Sequence, residues 1–391
     1  PPWLYFLYLC GIMKGKGGKT MDKRTNFADI IIYVVIAVIL LTVLPILANM
    51  STDGTSSEPI SSEPISSEPI SSEPVSSEPI PSYPTNVVVF KSDSPRTIKP
   101  KFTQSGVTLQ YSIDNGSTWN NISSGGTTAS SDEIWFRGRA TDTKRLYTAG
   151  STSNAWVFSD DSSNKLHVYG DLRYLLCDNL GDNTITFNIA SYCFTYMFRN
   201  CTSLTTAPEL PALTLADRCY MYMFYGCTNL TTAPELPART LTIQCYMYMF
   251  YGCTNLTTAP SLPATTLAEH CYDSMFYGCT SLTTAPSLPA TTLAEHCYAS
   301  MFGGCTSLTT APELPAITLD VYCYYFMFYG CSELKVSATK TGSYQYAWRI
   351  PTSGTSTYRT SWNEYMLTNT GGTFTSDPTI NTIYYVENPP V

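Results

Sequence analysis

The chain has 391 residues, only 13% of them charged, and its formal net charge is −8. This balance excludes a nucleic-acid-binding role, because phosphate binding needs a basic face. With only three histidines we expect no metal site, no cofactor and no histidine-based catalytic triad. Fourteen cysteines in so weakly charged a chain are the most informative feature.

The N-terminal region contains a candidate membrane segment. Residues 30–48 are apolar and uncharged, about the length that crosses a bilayer core of roughly 30 Å. Every nearby Lys and Arg precedes them, which predicts a cytoplasmic segment at 1–29 and an ectodomain after residue 48. We expect residues 1–20 to lie upstream of the native start at Met21. Two interpretations remain open: an uncleaved signal anchor, or a secretory signal cut near Ala48 that releases the protein.

Residues 49–84 are predicted to form a stalk. They include five consecutive pentads of the type Ser-Ser-Glu-Pro-Ile over 56–80, which cannot bury a core and whose prolines exclude helix. An extended polyproline II spacer of these 25 residues reaches on the order of 75 Å. A membrane segment followed by a stalk is typical of surface display, and a plain interdomain linker is the alternative.

Residues 85–170 alternate short β-rich runs with turn clusters, which predicts a small all-β, sandwich-like domain. Within it, Ser112, Asp114, Gly116 and Trp119 match the pattern S-x-D-x-G-x-T-W. This pattern resembles the Asp box of sialidase-type propellers, where such a turn is repeated several times. Because it occurs once here, we predict a structural hairpin and keep a glycosidase as a remote alternative.

From Cys193 the chain repeats with a period of 26 residues, in six units that span 193–334. Such a period predicts a solenoid of the leucine-rich type, with one short helix and one short strand in each unit. We place the helix between the two cysteines of a unit and the strand at Leu-Thr-Thr-Ala-Pro. Residues 171–192 and 335–391 are predicted to cap the two ends.

The two cysteine columns are the most regular part of the repeat. Pairing within a unit does not fit a helix, since eight residues span about 12 Å. We therefore predict buried thiols in the structural core, with disulfides between units or metal binding as the alternatives. The twelve residues are Cys193, Cys201, Cys219, Cys227, Cys245, Cys253, Cys271, Cys279, Cys297, Cys305, Cys323 and Cys331.

The unit motif CY..MF.GCTSLTTAPELPATTLA resembles the BspA-like leucine-rich repeats of bacterial cell-surface proteins. The resemblance covers about 140 residues and implies a surface-displayed binding or adhesion module, with no catalytic residues to carry over. Positions that change from unit to unit are predicted to face solvent and to bind the ligand. These are Glu209, Arg218, Met221, Glu235, Arg239, Gln244, Met247, His270, Asp273, His296, Glu313 and Tyr322.

The predicted function is therefore non-enzymatic binding at the cell surface, with an extracellular protein or glycan as the partner. A structural spacer or self-associating envelope protein is the main alternative, since near-identical units suit it as well. His270 and His296 occupy the same position of successive units, so we expect their rings to lie near each other.

Overall fold

The computed structural model describes residues 82–104, 107–140, 146–147, 156–158, 162–176, 191–350 and 362–391. The predicted membrane segment and nearly all of the predicted stalk lie outside these ranges. Within the described ranges, no helix has the length and apolarity needed to span a membrane. Pro79–Val391 forms one compact unit.

Short strands dominate the regular structure. The described residues contain one 3-10 helix, Leu172–Leu175, and fourteen strands. The strands are β1 Val88–Arg96, β2 Ile98–Lys99, β3 Thr103–Gln104, β4 Val107–Ser112, β5 Asn120–Asn121, β6 Ser131–Ala140, β7 Leu146–Tyr147, β8 Val157–Phe158, β9 Leu166–Tyr169, β10 Leu204–Thr206, β11 Lys335–Ser337, β12 Tyr346–Arg349, β13 Gly371–Gly372 and β14 Ile383–Val386.

The N-terminal β region is built on a six-stranded sheet in the order β10-β9-β1-β6-β4-β5. Its pairs are antiparallel except for β9 with β10, which run parallel. Because β10 belongs to the first repeat, the sheet continues directly into the repeats. β2 pairs with β8, and Phe158 of β8 stacks on Phe90 of the sheet with ring centroids 6.1 Å apart. The two-sheet sandwich stays a prediction.

Strand β1 explains why the apolar run at 87–90 does not alternate with polar residues. Val88 and Phe90 lie in the main core, which also contains the buried side chains of the repeats. Val87 and Val89 pack with Trp135 in a smaller cluster. A strand that is buried on both faces is expected to be apolar at consecutive positions.

The segment between the two cysteines of each unit is a series of turns, so the predicted helix is wrong. We call the residues from the one before the first cysteine to the second cysteine the turn segment, for example 218–227. Its amide groups alternate in direction. Met223 N–H donates to Tyr220 three residues earlier at 3.2 Å, whereas Tyr222 N–H donates to Met247 of the next unit at 3.0 Å. An α-helix would use all of these amides internally and leave none to join the units.

Left-handed residues cause this alternation. In the turn segment of the second unit φ is 59° at Arg218, 57° at Tyr222 and 71° at Gly226, and the next four units are left-handed at the same positions. A left-handed residue every fourth position stops a right-handed helix before it can propagate. The helix prediction relied on the spacing of the apolar residues, which fits both conformations.

The predicted repeat strand is also shorter than expected. Only the first and the sixth unit form a strand there, β10 and β11. The units between them are joined by single parallel bridges, such as Thr232 with Thr258 and Thr240 with Thr266. Proline interrupts the strand, since it has no amide hydrogen to donate. Most hydrogen bonds between units therefore come from the turn segments.

The core consists of stacked copies of the same side chains. Phe224 and Phe250 stack at 5.4 Å, and Tyr220 and Tyr246 stack at 5.9 Å. All twelve repeat cysteines are buried, and none of them forms a disulfide. The second cysteine also links units, since the Cys253 thiol donates to the carbonyl of Phe224 at 3.2 Å. A cysteine there combines small size with a weak donor, which explains its recurrence.

The C-terminal segment covers the last repeat. Residues 362–369 form a seventh turn segment without cysteines. Tyr324 N–H donates to Trp362 at 2.8 Å, Phe328 N–H donates to Met366 at 3.0 Å, and Tyr365 is left-handed with φ 57°. A four-stranded sheet, β12-β14-β11-β13, completes this end. The fully buried Trp348 donates from Nε1 to the carbonyl of Pro312 at 3.0 Å.

Candidate binding surface of the repeats

Two columns of half-buried aromatic side chains run across the turn segments. The third and the sixth residue after the first cysteine are tyrosine in most of the early units. Their rings stack from unit to unit, at 4.6 Å between Tyr222 and Tyr248 and at 4.8 Å between Tyr225 and Tyr251. We call this group the tyrosine surface. It comprises Tyr196, Tyr222, Tyr248, Tyr225, Tyr251 and Tyr277.

None of these tyrosines is among the predicted ligand-binding residues. Because rings stack face to face along the column, mainly their edges and hydroxyl groups remain available to a partner. Burial raises the pKa of Tyr222 far above its usual value, so the hydroxyl stays protonated at neutral pH. The Arg199 guanidinium closes one end, 5.7 Å from the ring centroid of Tyr196 and 5.4 Å from that of Tyr225. The available signal was the recurrence of Tyr at fixed distances from the first cysteine.

Small residues interrupt the aromatic columns in the fourth and fifth units. Ser274 and Ser300 take the third position after the first cysteine, and Gly303 takes the sixth. A Cβ on Gly303 would lie 2.6 Å from the ring of Tyr277, so a larger residue there would require that ring to shift. The surface thus differs along its length, while the core beneath it stays the same.

A polar column occupies the position before the first cysteine. Arg218 Nε donates to Gln244 Oε1 at 2.5 Å, and the rings of His270 and His296 stack with centroids 4.4 Å apart. The His296 ring also lies 4.8 Å from that of Tyr322. The structure therefore brings together residues that the sequence placed 26 positions apart. The two histidines are neighbours, as expected.

Asp273 is the charged residue at the centre of this region. His270 Nδ1 lies 2.8 Å from Asp273 Oδ2, and Ser274 Oγ donates to Asp273 Oδ1 at 2.7 Å. This hydrogen bond to Asp273 raises the pKa of His270, whereas burial and the neighbouring His270 charge lower the pKa of His296. One imidazole of the stacked pair therefore accepts a proton more readily than the other.

The predicted ligand-binding positions fall into three groups. Glu209, Glu235, Arg239 and Glu313 are exposed. A second group is half-buried: Arg218, Gln244, Met247, His270, His296 and Tyr322.

Met221 and Asp273 are buried, so their predicted solvent exposure is wrong. Both are the second residue after the first cysteine, where Ala299 is also buried. Variation at this position therefore reflects packing at the margin of the core.

The single Asp box folds as a turn between β4 and β5. Asp114 accepts hydrogen bonds from Ser112 Oγ at 2.7 Å and from Thr118 Oγ1 at 2.6 Å. These donors lower the pKa of Asp114 to about 2. Asn115 and Gly116 at the tip are left-handed, with φ of 55° and 80°. Donors within its own turn occupy the carboxylate, which suits a structural role.

Comparison with known proteins gives one match. The family model described as the BspA type leucine-rich repeat region matches residues 169–309 and 217–346, with six copies. No curated protein matches the chain, and no solved structure matches it. The matched residues coincide with the stacked units described above. The repeats of this chain are therefore BspA-type leucine-rich repeats.

Proposed function

We propose that this protein is a non-enzymatic surface protein whose repeats bind an extracellular protein or glycan through the tyrosine surface. The observation that supports this proposal is the contrast between core and surface. The buried Cys, Met, Phe and Leu columns keep their residues from unit to unit. The aromatic columns above them change at Ser274, Ser300 and Gly303.

The composition of the tyrosine surface suits recognition. Tyrosine supplies a large contact area and a hydroxyl group at low entropy cost, since it has few rotatable bonds. The stacked columns hold each ring in place before a ligand arrives, which lowers the ordering cost further. Formal charges lie outside these six residues, so we expect contacts through ring edges and hydroxyl hydrogen bonds.

The same proposal includes display at the cell surface. A membrane segment at 30–48 and a stalk at 49–84 would hold the repeats away from the bilayer, with the repeats outside. Under the alternative of a cleaved signal, the binding surface would be secreted instead.

The test is a screen of the full chain against arrays of glycans and of extracellular matrix and bacterial-surface proteins. Tyr251→Ala, on the tyrosine surface, is expected to lower the affinity for a captured ligand at least tenfold. Thr257→Ala, at an exposed position of the same array, is the matched control and should leave binding unchanged.

A screen that yields no ligand, or a ligand unaffected by Tyr251→Ala, would overturn the proposal. Concentration-dependent self-association without any foreign ligand would instead favour a structural spacer.

A further inference from the structure

We infer that His270, Asp273 and His296 form a binding site for one divalent transition-metal cation of the zinc type. One potential ligand atom from each of the three residues lies within 4.8 Å of the other two. The site uses no residue of the tyrosine surface and does not depend on the ligand proposed for that surface.

The three donors come together because of the stacking of the repeats. His270 and His296 occupy the same position of the fourth and fifth units, and their ring planes are only 11° apart. Asp273 follows three residues after His270 in the same turn segment. The left-handed φ of 53° at each histidine places both imidazoles on the same side of the array.

Asp273 distinguishes this cluster from the equivalent positions of the neighbouring units. The same position carries Met221 and Met247 in the two preceding units. A buried carboxylate is costly unless a cation or hydrogen-bond donors compensate its charge. Here its partners are the His270 imidazole and the Ser274 hydroxyl. The unit thus carries a buried negative charge next to two imidazoles, where its neighbours are apolar.

Two imidazoles and one carboxylate are a ligand set that zinc-type cations favour, with the fourth position left to water. Bonds of about 2.1 Å place tetrahedral ligand atoms a little over 3 Å apart. The His270–Asp273 pair, at 2.8 Å, is already close to that spacing. A ring nitrogen of His296 lies within 4.8 Å of a ligand atom of each, so a small movement closes the set. The exposed Glu269, with Oε1 3.8 Å from His270 Nε2, adds negative charge nearby.

The experiment is calorimetric titration of the full chain with ZnCl₂, together with Co²⁺ absorption spectra. Two substitutions use residues that the array already carries at the same positions: His296→Gln, as in Gln244, and Asp273→Met, as in Met247. Each is expected to weaken binding of one equivalent of Zn²⁺ at least tenfold. His167→Gln removes the third histidine, which bonds to Thr206 instead, and should leave the titration unchanged.

The Co²⁺ spectrum guards against metal binding by thiols. The unsubstituted protein with Co²⁺ should show ligand-field bands without a thiolate charge-transfer band. This measurement needs no variant, so it tests the inference even if a substituted protein fails to fold. Absence of Zn²⁺ binding would overturn the inference. So would affinity unchanged by His296→Gln and Asp273→Met, or a Co²⁺ spectrum dominated by thiolate ligands.

Discussion

Replacement of Ser300 by glycine tests the turn conformation of the repeats directly. Ser300 has φ of 52°, its N–H donates to Tyr325 at 2.6 Å, and its carbonyl accepts from Gly303 at 3.0 Å. Both bonds survive the change. A left-handed backbone costs an L-residue roughly 1–2 kcal/mol. Glycine avoids that cost but loses about 0.5–1 kcal/mol more backbone entropy on folding. Ser300→Gly should therefore stabilise the protein by about 0.5–1 kcal/mol.

Ser281→Gly is the matched control. Ser281 is half-buried like Ser300, and its amide also donates to a neighbouring unit, here to Thr254 of the preceding one at 3.2 Å, but its φ is not positive. Ser281→Gly should therefore lower the free energy of unfolding by about 0.5–1 kcal/mol.

Urea unfolding followed by circular dichroism measures both variants. The two midpoints should move in opposite directions while the slope stays constant. If the turn segment were a helix, Ser300→Gly would destabilise the protein, as Ser281→Gly does. A lower midpoint for Ser300→Gly would thus refute the turn assignment.

Three further outcomes follow from the core and the Asp-box turn. Leu282 is fully buried, so Leu282→Ala should cost about 2–5 kcal/mol in urea unfolding, whereas Leu213→Ala, at a residue that is 69% exposed, should change stability by under about 0.5 kcal/mol. Burial raises the pKa of Cys253 and Cys305 to about 12, so alkylation at pH 8 should be slow in the native protein and complete in guanidinium; fast native labelling would contradict their burial. The pKa of Asp114 is lowered to about 2, so its stabilising contribution is full above its usual pKa near 4 and is lost as pH falls toward 2. Asp114→Asn should remove that part of the acid-induced loss measured by thermal unfolding, and an unchanged pH profile would count against it.

The repeat architecture was predictable because stacked units repeat their core residues at a fixed spacing. The cysteine columns and the Met-Phe pair follow from comparing the six units with one another. The turn conformation was not predictable, because glycine marks one of the three left-handed positions in the second to sixth units and none in the first, where Asn200 takes that place. At the other two, residues such as Tyr222, Gln244 and Ser300 carry no comparable signal.

The candidate sites were predictable only in part. Variation between units identified His270 and His296, whose rings stack. The same criterion assigned Met221 and Asp273 to solvent, because variation cannot distinguish an exposed side chain from one at the margin of the core. The tyrosine surface was not predicted as a binding site, because the sequence does not show that rings 26 residues apart stack into columns.

The alternating amides of the turn segments have a consequence for the length of the array. Every internal unit donates to the unit after it and accepts from the unit before it through the same backbone positions. Any internal unit can therefore follow any other, whatever side chains it presents. Gain or loss of one 26-residue unit would leave both capped ends intact and change the length of the array by about one ring-stacking distance, 4.6–5.9 Å. Unequal recombination among near-identical repeats would in this way change both the length of the array and the side chains on its surface, without a new fold.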